Sequence, residues 1–595
     1  MQIPVPLVKR RKFDEGVFKK CREEGFGNIV SRVIAARELS DKATTIRQAI
    51  MPRLIDIEQP DSLRDIGTAV DHLISALNKG DRLCILSDFD SDGCSSSGVL
   101  FRGLSMLGFK SDNLYPMSAH RLVEGYGIGE KVVQRILDLQ PRPALVLTAD
   151  NGSSNADSIE WLKREEILTI VTDHHALLNG PPPAAVAVVN PIRADCEFPD
   201  KSLAGVGVAF MLLVALRKRL IEIGQLEPSV SLVRLLAFCG LGTQADCVDL
   251  GRSMTNRAMV RYSLESIQKE NTYPCWSALK KLGKGDDQII DSEFLQFSAV
   301  PAINAAGRMD VSKYASDFFI TDDQHEANRL AEKLRELNDQ RKTIEREMTK
   351  QAKAIAIEQH DQGRLGLVCY LTDGNPGVVG IVAARIMQMF GKPTLVASPV
   401  LGDPEHFTGS MRTTEHYSII DGISWVQAHY PDAISRGGGH KAAGGVGGHM
   451  DRFEELEHAF DESVRAQVKD IHVLQPVIET DGFIENTEIT LSLIEELRSL
   501  QPYGQGFPSP TFEADGNVRA VRMVGSPAVH AQIEIVFCHQ AFKAIWFFAV
   551  EEEGAVPVDS GTRCHWVFNI NENRYRGRSN LQLIIRHCEC LGSKL

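Results

Sequence analysis

Between residues 76 and 192 the hydrophobic pattern alternates between two periods. Apolar runs of strand length occur at RLCILSD (82–88), ALVLTAD (144–150), LTIVTDHH (168–175) and AVAVVNP (185–191), and helix-like stretches at 95–107 and 129–139 separate them. Strand, helix, strand at this spacing predicts a parallel sheet covered on both faces. Residues 203–268 then read mainly as helix. From 324 to 358 the chain is rich in Ala, Glu, Lys, Leu and Arg, lacks Gly and Pro, and repeats Leu330, Leu334, Leu337 and Ile344 on one face. That pattern predicts a long helix, and it bridges two domains because globular sequence resumes on both sides. A second globular unit opens on the strand LGLVCYLT (365–372), continues in a helix starting near Val378 and carries a Gly-dense run at 435–448, with a loop at Gly437–His440. The tail holds short β-rich runs such as AQIEIVF and LQLIIR, which predict a small barrel or sandwich.

The expected organisation is a lead-in at 1–75, a first α/β domain at 76–270 and a helical linker with the long helix at 271–360. A second α/β lobe follows at 361–465, and a β-rich domain at 470–595. With 595 residues, 43% hydrophobic and 24% charged, the composition is that of an ordinary multidomain globular chain. The net charge of −13 excludes a generally basic nucleic-acid coat but leaves room for a local basic groove. The twelve cysteines form no CxxC pair, and the nearest two, Cys588 and Cys590, are too little for a zinc site. Most, such as Cys84, Cys239 and Cys369, lie in apolar runs and read as reduced core thiols. The N-terminal MQIPVPLVKRRKF has no apolar segment after its basic cluster, and no uncharged apolar run reaches the roughly 18 residues of a membrane span. The expectation is a cytoplasmic, monomeric protein without membrane contact.

The chemistry concentrates at strand ends. SDFDSDG places Asp88, Asp90 and Asp92 directly after the first strand. In extended chain this spacing turns all three carboxylates to one side. Such crowding is tolerable only when the charges are solvated, protonated or neutralised by cations. An EF-hand fails, because the twelfth position from Asp88 is Val99 and the flank is a strand. TADNG puts Asp150, and TDHH puts Asp173, His174 and His175, at the ends of the next two strands. The C-terminal ends of an open α/β sheet converge on one crevice, so these residues meet there. Mixed carboxylates and imidazoles suit Mn²⁺ or Mg²⁺. They are too many for one ion, and a pair bridged by one carboxylate suits phosphate-ester hydrolysis. Asp246 in GTQAD, after an apolar helix-like run and a Gly-Thr turn, is a further candidate ligand.

SDFDSDG, TADNG, TDHH and GTQAD, in this order, resemble the motifs of the DHH phosphoesterase superfamily. HRLVEGYGI (120–128), PAINAAGRMD (301–310), LNDQRKTIE (337–345), PGVVGIVAARI (376–386), GSMR (409–412), GGGHKAAGG (437–445) and NENRYRGRSNLQLII (571–585) are similar to its RecJ family of single-strand-specific 5′→3′ exonucleases. The resemblance covers all but roughly the first 40 residues. It implies a parallel-sheet DHH catalytic domain, a long bridging helix, a DHHA1-like second lobe and a C-terminal OB-fold β-barrel. It implies two Mn²⁺ or Mg²⁺ ions on Asp90, Asp92, Asp150, His174 and Asp246, with Asp150 as the bridge. Asp88 belongs to the motif as ligand or as a supporting residue. His175 matches the residue that contacts the scissile phosphate. Arg308, Asn304, Ser410, Arg412, His440, Gly438, Gly439 and Arg121 match positions near the DNA phosphates. The implied activity is stepwise release of 5′-mononucleotides from single-stranded DNA in repair and recombination, with single-strand-binding protein as a partner. The alternatives are a phosphodiesterase of short oligonucleotides or cyclic dinucleotides, and a non-catalytic replisome scaffold. Leu86 stands where several superfamily members carry a metal-binding His, and Gly374 and Asn375 where the family commonly has Trp-His.

The residues of the second and third units agree. Gly437, Gly438 and Gly439 before His440 let backbone N–H groups approach a phosphate, and Arg308 and Arg412 can fork onto its oxygens. Arg563, Arg574, Arg576, Arg578 and Arg586, interleaved with Trp566, Phe568 and Tyr575, read as a single-strand-binding groove.

Overall fold

The computed structural model describes residues 3–591 apart from 178, 270–272, 284–287, 310, 526–527, 551–557 and 576–577. After a short strand β1 (Leu7–Arg10), the first lobe is built on five parallel strands. These are β2 (Leu83–Ser87), β3 (Leu114–Ser118), β4 (Leu145–Ala149), β5 (Leu168–Thr172) and β6 (Ala187–Val189). β2 and β4 are buried at every position because both faces are covered. Leu83, Ile85, Leu145 and Leu147 enter one core, while Cys84, Leu86 and Val146 enter the other. The sheet order is β3-β2-β4-β5-β6, so the chain moves one way from β2 to β3 and then returns to the other side of β2 for β4. The direction of winding reverses there, and the crevice beyond the strand ends opens at that reversal.

The helix after β2 differs from its expected start. It spans Ser91–Met106, because Asp90 acts as N-cap, its Oδ1 accepting from the Asp92 and Gly93 N–H groups at 3.0 Å. SDFDSDG is therefore a strand-to-helix turn and not an extended segment. The Gly-Thr expected as a turn before Asp246 lies inside the helix Leu236–Ala245, with Asp246 as its C-cap.

The bridging helix is Gln324–Asp361, 38 residues and about 57 Å long at the usual rise. Ala327, Leu330, Leu334 and Leu337 bury in the core of the first lobe, and Met348, Ala352 and Ala356 in that of the second. The second lobe carries β7 (Leu367–Tyr370), β8 (Thr394–Val400), β9 (Asp403–Arg412), β10 (Arg436–Gly439) and β11 (Ala443–His449), in the order β10-β11-β9-β8-β7. Only β7 and β8 run parallel in this sheet. Gly437, Gly438 and Gly439 thus form an edge strand where a loop was expected. A Cβ on Gly439 would lie 2.4 Å from Gly444 Cα, so the glycines permit close strand pairing.

β12 (Val477–Thr480) pairs with β1 and leads to the tail domain. There β13 (Phe512–Val524), β14 (His530–Phe537), β15 (Gln540–Trp546), β16 (Arg563–Tyr575) and β17 (Arg578–Cys590) close a barrel in the order β13-β14-β15-β17-β16. One seam, β15 with β17, is parallel and the others are antiparallel, as in an OB-fold. The first residues are more than a lead-in to the first lobe. Arg37 and Asp481 form a buried ion pair, and Arg10 meets Glu513 at 2.9 Å, so the N-terminal segment ties the first lobe to the barrel. Among the described residues no helix is long and apolar enough to cross a membrane.

Candidate metal centre and phosphate cleft

Four chain segments deliver carboxylates and imidazoles to the reversal point of the first sheet. Asp88 follows β2, its N–H donating to the Ala149 carbonyl at 3.2 Å, which fixes it beside the end of β4. Asp92 lies in the first turn of the next helix, and its two oxygens accept from Gly205 N–H at 2.7 Å and Val206 N–H at 3.0 Å. Asp150 sits in the left-handed region at φ 65°, a conformation costly for most residues but tolerated by Asp. Asn151 braces that turn by donating to the Leu86 and Ala149 carbonyls.

Two groups of ligand atoms, each within 4.8 Å, are Asp88, Asp90 and Asp150, and Asp92, His174 and Asp246; a third, Asp150, His174 and His175, overlaps both. His174 Nε2 lies 3.3 Å from both Asp150 Oδ1 and Asp246 Oδ2, so Asp150 touches both groups. The three carboxylates of SDFDSDG are thereby divided, Asp92 going to the second group because it stands further along, inside the helix. Asp173 Oδ2 instead accepts from Ser153 N–H at 2.9 Å, and its Oδ1 accepts from His174 N–H at 2.7 Å and His175 N–H at 3.1 Å. It is a brace.

The electrostatics favour cations. Burial, then the charge of Asp90, holds Asp88 well above the usual carboxylate range. Burial and Asp92 do the same to Asp150. Burial with Asp90 raises Asp92 to about 7, and burial with Asp92 and Asp90 raises Asp246 to about 9. Burial, then the charge on His175, lowers His174 to about 4, leaving a neutral imidazole. Asp88 Oδ1, Asp150 Oδ1 and His174 Nε2 are buried without a hydrogen-bond partner. Buried polar atoms normally have partners. Orphaned oxygens facing an orphaned imidazole nitrogen fit a pair of hard divalent cations.

His175 stands beside this set with the opposite polarity. Burial alone would lower it, but the hydrogen bond and charge of Asp173, 2.8 Å from Nδ1, outweigh that and raise it to about 9. The Tyr126 hydroxyl lies 3.0 Å from the same Nδ1, and the Tyr126 ring packs edge-on against His175 and Phe89. Tyr126 lies inside HRLVEGYGI but was assigned no role from sequence; only the folded loop brings it to His175. Gly205 was missed too, and a Cβ there would lie 2.5 Å from Asp150 Cβ and Oδ1.

Arginines of both lobes face the acids. Arg121 stacks over Phe89 at 5.0 Å and feels the charges of Asp88 and Asp90. Arg308 donates to the Gly377 carbonyl at 3.1 Å; burial and then Arg121, Arg341 and Arg412 lower it to about 9. Arg412, near Ser410 at the start of the helix Val379–Phe390, is lowered by burial and by Arg121. Among the described residues none of these three has a carboxylate within salt-bridge distance. They are half-buried cations that face the acids of the crevice without ion-pairing to them. From the second lobe His440 stacks on His175 with centroids 6.3 Å apart. Gly438 borders open space, whereas Gly439 packs on Gly444. Asn304 Oδ1 accepts from Ser91 N–H at 2.7 Å and Ser91 Oγ at 2.8 Å, so its oxygen holds the start of the metal-site helix.

On the barrel, Trp566 and Phe568 are each 0% exposed and fill the interior. Strand alternation turns both inward, so neither is a surface for base stacking. Arg563 is exposed and Arg586 donates to Asn569. Arg576 and the side chains of Arg574, Tyr575 and Arg578 lie outside the described residues.

The chain matches three family models in order: the DHH family N-terminal domain at 82–239, the DHHA1 domain at 365–466 and the RecJ OB domain at 480–587. It is 33% identical to the single-stranded-DNA-specific exonuclease RecJ of Salmonella typhimurium, over 88% of this chain and 90% of that protein. It is 31% identical to the protein of the same name from Haemophilus influenzae, over 96% and 98%. The crystal structure of RecJ in complex with Mn²⁺ from Thermus thermophilus shares the fold at a TM-score of 0.75, with 24% identity over 99% of this chain and 80% of that one. Three domain models in the RecJ order, and relatives above 30% identity matched nearly end to end, show that this chain belongs to the RecJ family of DHH exonucleases.

Proposed function

We propose that this chain is a metal-dependent exonuclease that shortens single-stranded DNA from its 5′ end and releases 5′-mononucleotides. The observation that carries the reading is the pairing of two ligand groups holding orphaned polar atoms with three arginines, supplied from two lobes, that among the described residues have no carboxylate in salt-bridge distance. Asp88, Asp90 and Asp150 would hold one Mn²⁺ or Mg²⁺, and Asp92, His174 and Asp246 the other, with Asp150 between them. Bound there, the ions supply water activation and neutralise phosphate charge.

The chain's own groups do the rest. Asp173 keeps the His175 imidazole protonated and aimed into the crevice, where it donates to the oxygen that gains charge. Arg308 and Arg121 neutralise the flanking backbone. Ser410, Arg412, His440 and the open backbone at Gly438 hold the terminal phosphate, which distinguishes a chain end from its middle. The second lobe reaches the crevice, with Gly377 against Arg308 and His440 against His175. The barrel then carries the remainder of the strand. On this reading the enzyme works as a cytoplasmic monomer and takes strands coated by single-strand-binding protein.

The test is digestion of 5′- and 3′-labelled single strands and of blunt duplex with Mn²⁺, Mg²⁺ or chelator. The 5′ label should appear at once as mononucleotide, only from single strands and only with metal. Early release of the 3′ label, or turnover in excess chelator, would refute it.

A further inference from the structure

The barrel gathers three cysteines from two strands. Cys564 is the second residue of β16, and its cross-strand partner in the ladder is Cys590, the last residue of β17. Cys588, two residues earlier on β17, points to the same face and stands opposite Trp566. Cys564 Sγ lies 3.6 Å from Cys590 Sγ, and the three sulfurs all lie within 4.8 Å of one another. Cys564 is buried, Cys588 half-buried and Cys590 exposed, so the cluster sits at the barrel rim with one side open. No spacing rule finds this site, because register alone brings Cys564 to the other two.

We propose that Cys564, Cys588 and Cys590 form a thiolate site for one Zn²⁺, separate from the catalytic cations, that clamps the end of the barrel. Tetrahedral zinc with bonds of about 2.3 Å requires sulfurs about 3.8 Å apart, close to the 3.6 Å between Cys564 and Cys590. Among the described residues the cluster has no fourth protein ligand, so water completes the tetrahedron at the open side. Three S–H protons leave to solvent as three Zn–S bonds form. Burial raises the Cys564 thiol to about 12 and shifts Cys588 upward as well. Metal binding by these thiols displaces their protons, so an ion that bonds strongly to sulfur is needed. The hard Mn²⁺ or Mg²⁺ of the catalytic crevice prefers oxygen, so the two sites select different metals.

The place gives the ion a purpose. Among the described residues β17 pairs with β15 at two positions, Ala544 with Leu583 and Ile545 with Ile584. A bulge at Val567 and Phe568 then breaks the β16–β17 register. The last residues of β17 lie beyond both, held by one side of one ladder. A link from Cys588 and Cys590 to Cys564 pins them.

The test uses the full chain, reduced with a phosphine, stripped of metal and titrated with Cd²⁺. Only sulfur ligands produce the ultraviolet thiolate-to-Cd²⁺ charge-transfer band, and the grouped ligand atoms of the catalytic crevice are all oxygen and nitrogen; Cys247→Ser, which removes the exposed thiol beside Asp246, should leave the band unchanged. The expected band saturates at one equivalent and is displaced by Zn²⁺. In Cys588→Ser and in Cys590→Ser the saturating concentration should rise about tenfold or more. Cys590 is exposed, so its variant keeps the fold. Hydrogen exchange at 586–591 should slow on adding Zn²⁺ to wild type and not to the variants. A wild type without the band, or variants with unchanged titrations, would overturn the site. So would a Cys564–Cys590 disulfide found by peptide mass spectrometry in protein kept with Zn²⁺.

Discussion

Gly205→Ala is expected to cripple catalysis while sparing the fold. Gly205 is the first residue of the helix Gly205–Glu222, and its N–H donates to Asp92 Oδ2 at 2.7 Å. A methyl there would stand 2.5 Å from Asp150 Cβ and Oδ1 and 2.7 Å from Asp150 Cγ. Ordinary carbon contacts are about 3.5–4.0 Å, so something must move by roughly 1–1.5 Å. Whichever side yields, a metal-site carboxylate moves: Asp150 directly, or Asp92 through the displaced helix start. Misplacement by about 1 Å at a reacting centre costs about 10²-fold in rate, close to 3 kcal/mol of activation free energy. Overpacking costs about 1–3 kcal/mol of stability, and Ala in a helix returns roughly 0.5–1 kcal/mol over Gly. The net loss of stability is therefore about 0–2.5 kcal/mol, which the thermal melts read separately from the rate. The control is Gly207→Ala, whose methyl would meet only the flexible Leu203 side chain, with Cδ2 nearest at 3.3 Å. Initial rates on a 5′-labelled single strand at saturating Mn²⁺, with thermal melts in parallel, separate the two. If Gly205→Ala keeps half of its activity, or Gly207→Ala loses as much, Asp150 does not sit where the chemistry happens.

Asp150→Ala should abolish hydrolysis, and the metal-free protein should melt no lower than wild type, because a buried, repelled carboxylate is removed. The folded values of about 7 for Asp92 and about 9 for Asp246 exceed unfolded values near 4. The native protein therefore holds extra protons in that window and loses stability as pH rises through it. Chelated protein should accordingly melt lower at pH 8 than at pH 6, with Mn²⁺ removing the difference; equal melts would contradict the crowding. Arg412→Lys should lose about 1–3 kcal/mol more on 5′-phosphorylated than on 5′-hydroxyl strands, since an ammonium cannot fork onto a terminal phosphate. Equal slowing of both substrates would place Arg412 in the lobe interface instead. Deleting 512–595 should weaken binding to long single strands and flatten its salt dependence while the catalytic residues stay in place, whereas truncation at 470 also strips Asp481 from Arg37 and should unfold the first lobe; anisotropy over several salt concentrations and thermal melts check both.

Local signals in the chain were enough for a good deal of this. Buried parallel strands write themselves as continuous apolar runs, and the acids that follow them stand at strand ends whatever the tertiary packing. That is why Asp88, Asp150 and the TDHH residues were legible, and why the bridging helix was legible from its repeat of leucines. Periodicity on a strand carries less information at Trp566 and Phe568, where alternation separates the two faces and only the closed barrel sets which of them is the interior.

What tertiary structure alone decided is set by distance across the chain. The sheet order β3-β2-β4 puts the reversal of winding between Asp88 and Asp150, and no local pattern encodes strand order. The division of the carboxylates into two groups depends on Asp90 capping a helix, which pushes Asp92 toward Gly205, Val206 and His174. Tyr126 reaches His175, and Arg37 reaches Asp481, only through the folded path of the chain. Cys564 joins Cys588 and Cys590 through ladder register. Residue type and local period determine which groups can do chemistry; long-range pairing and packing determine which of them meet.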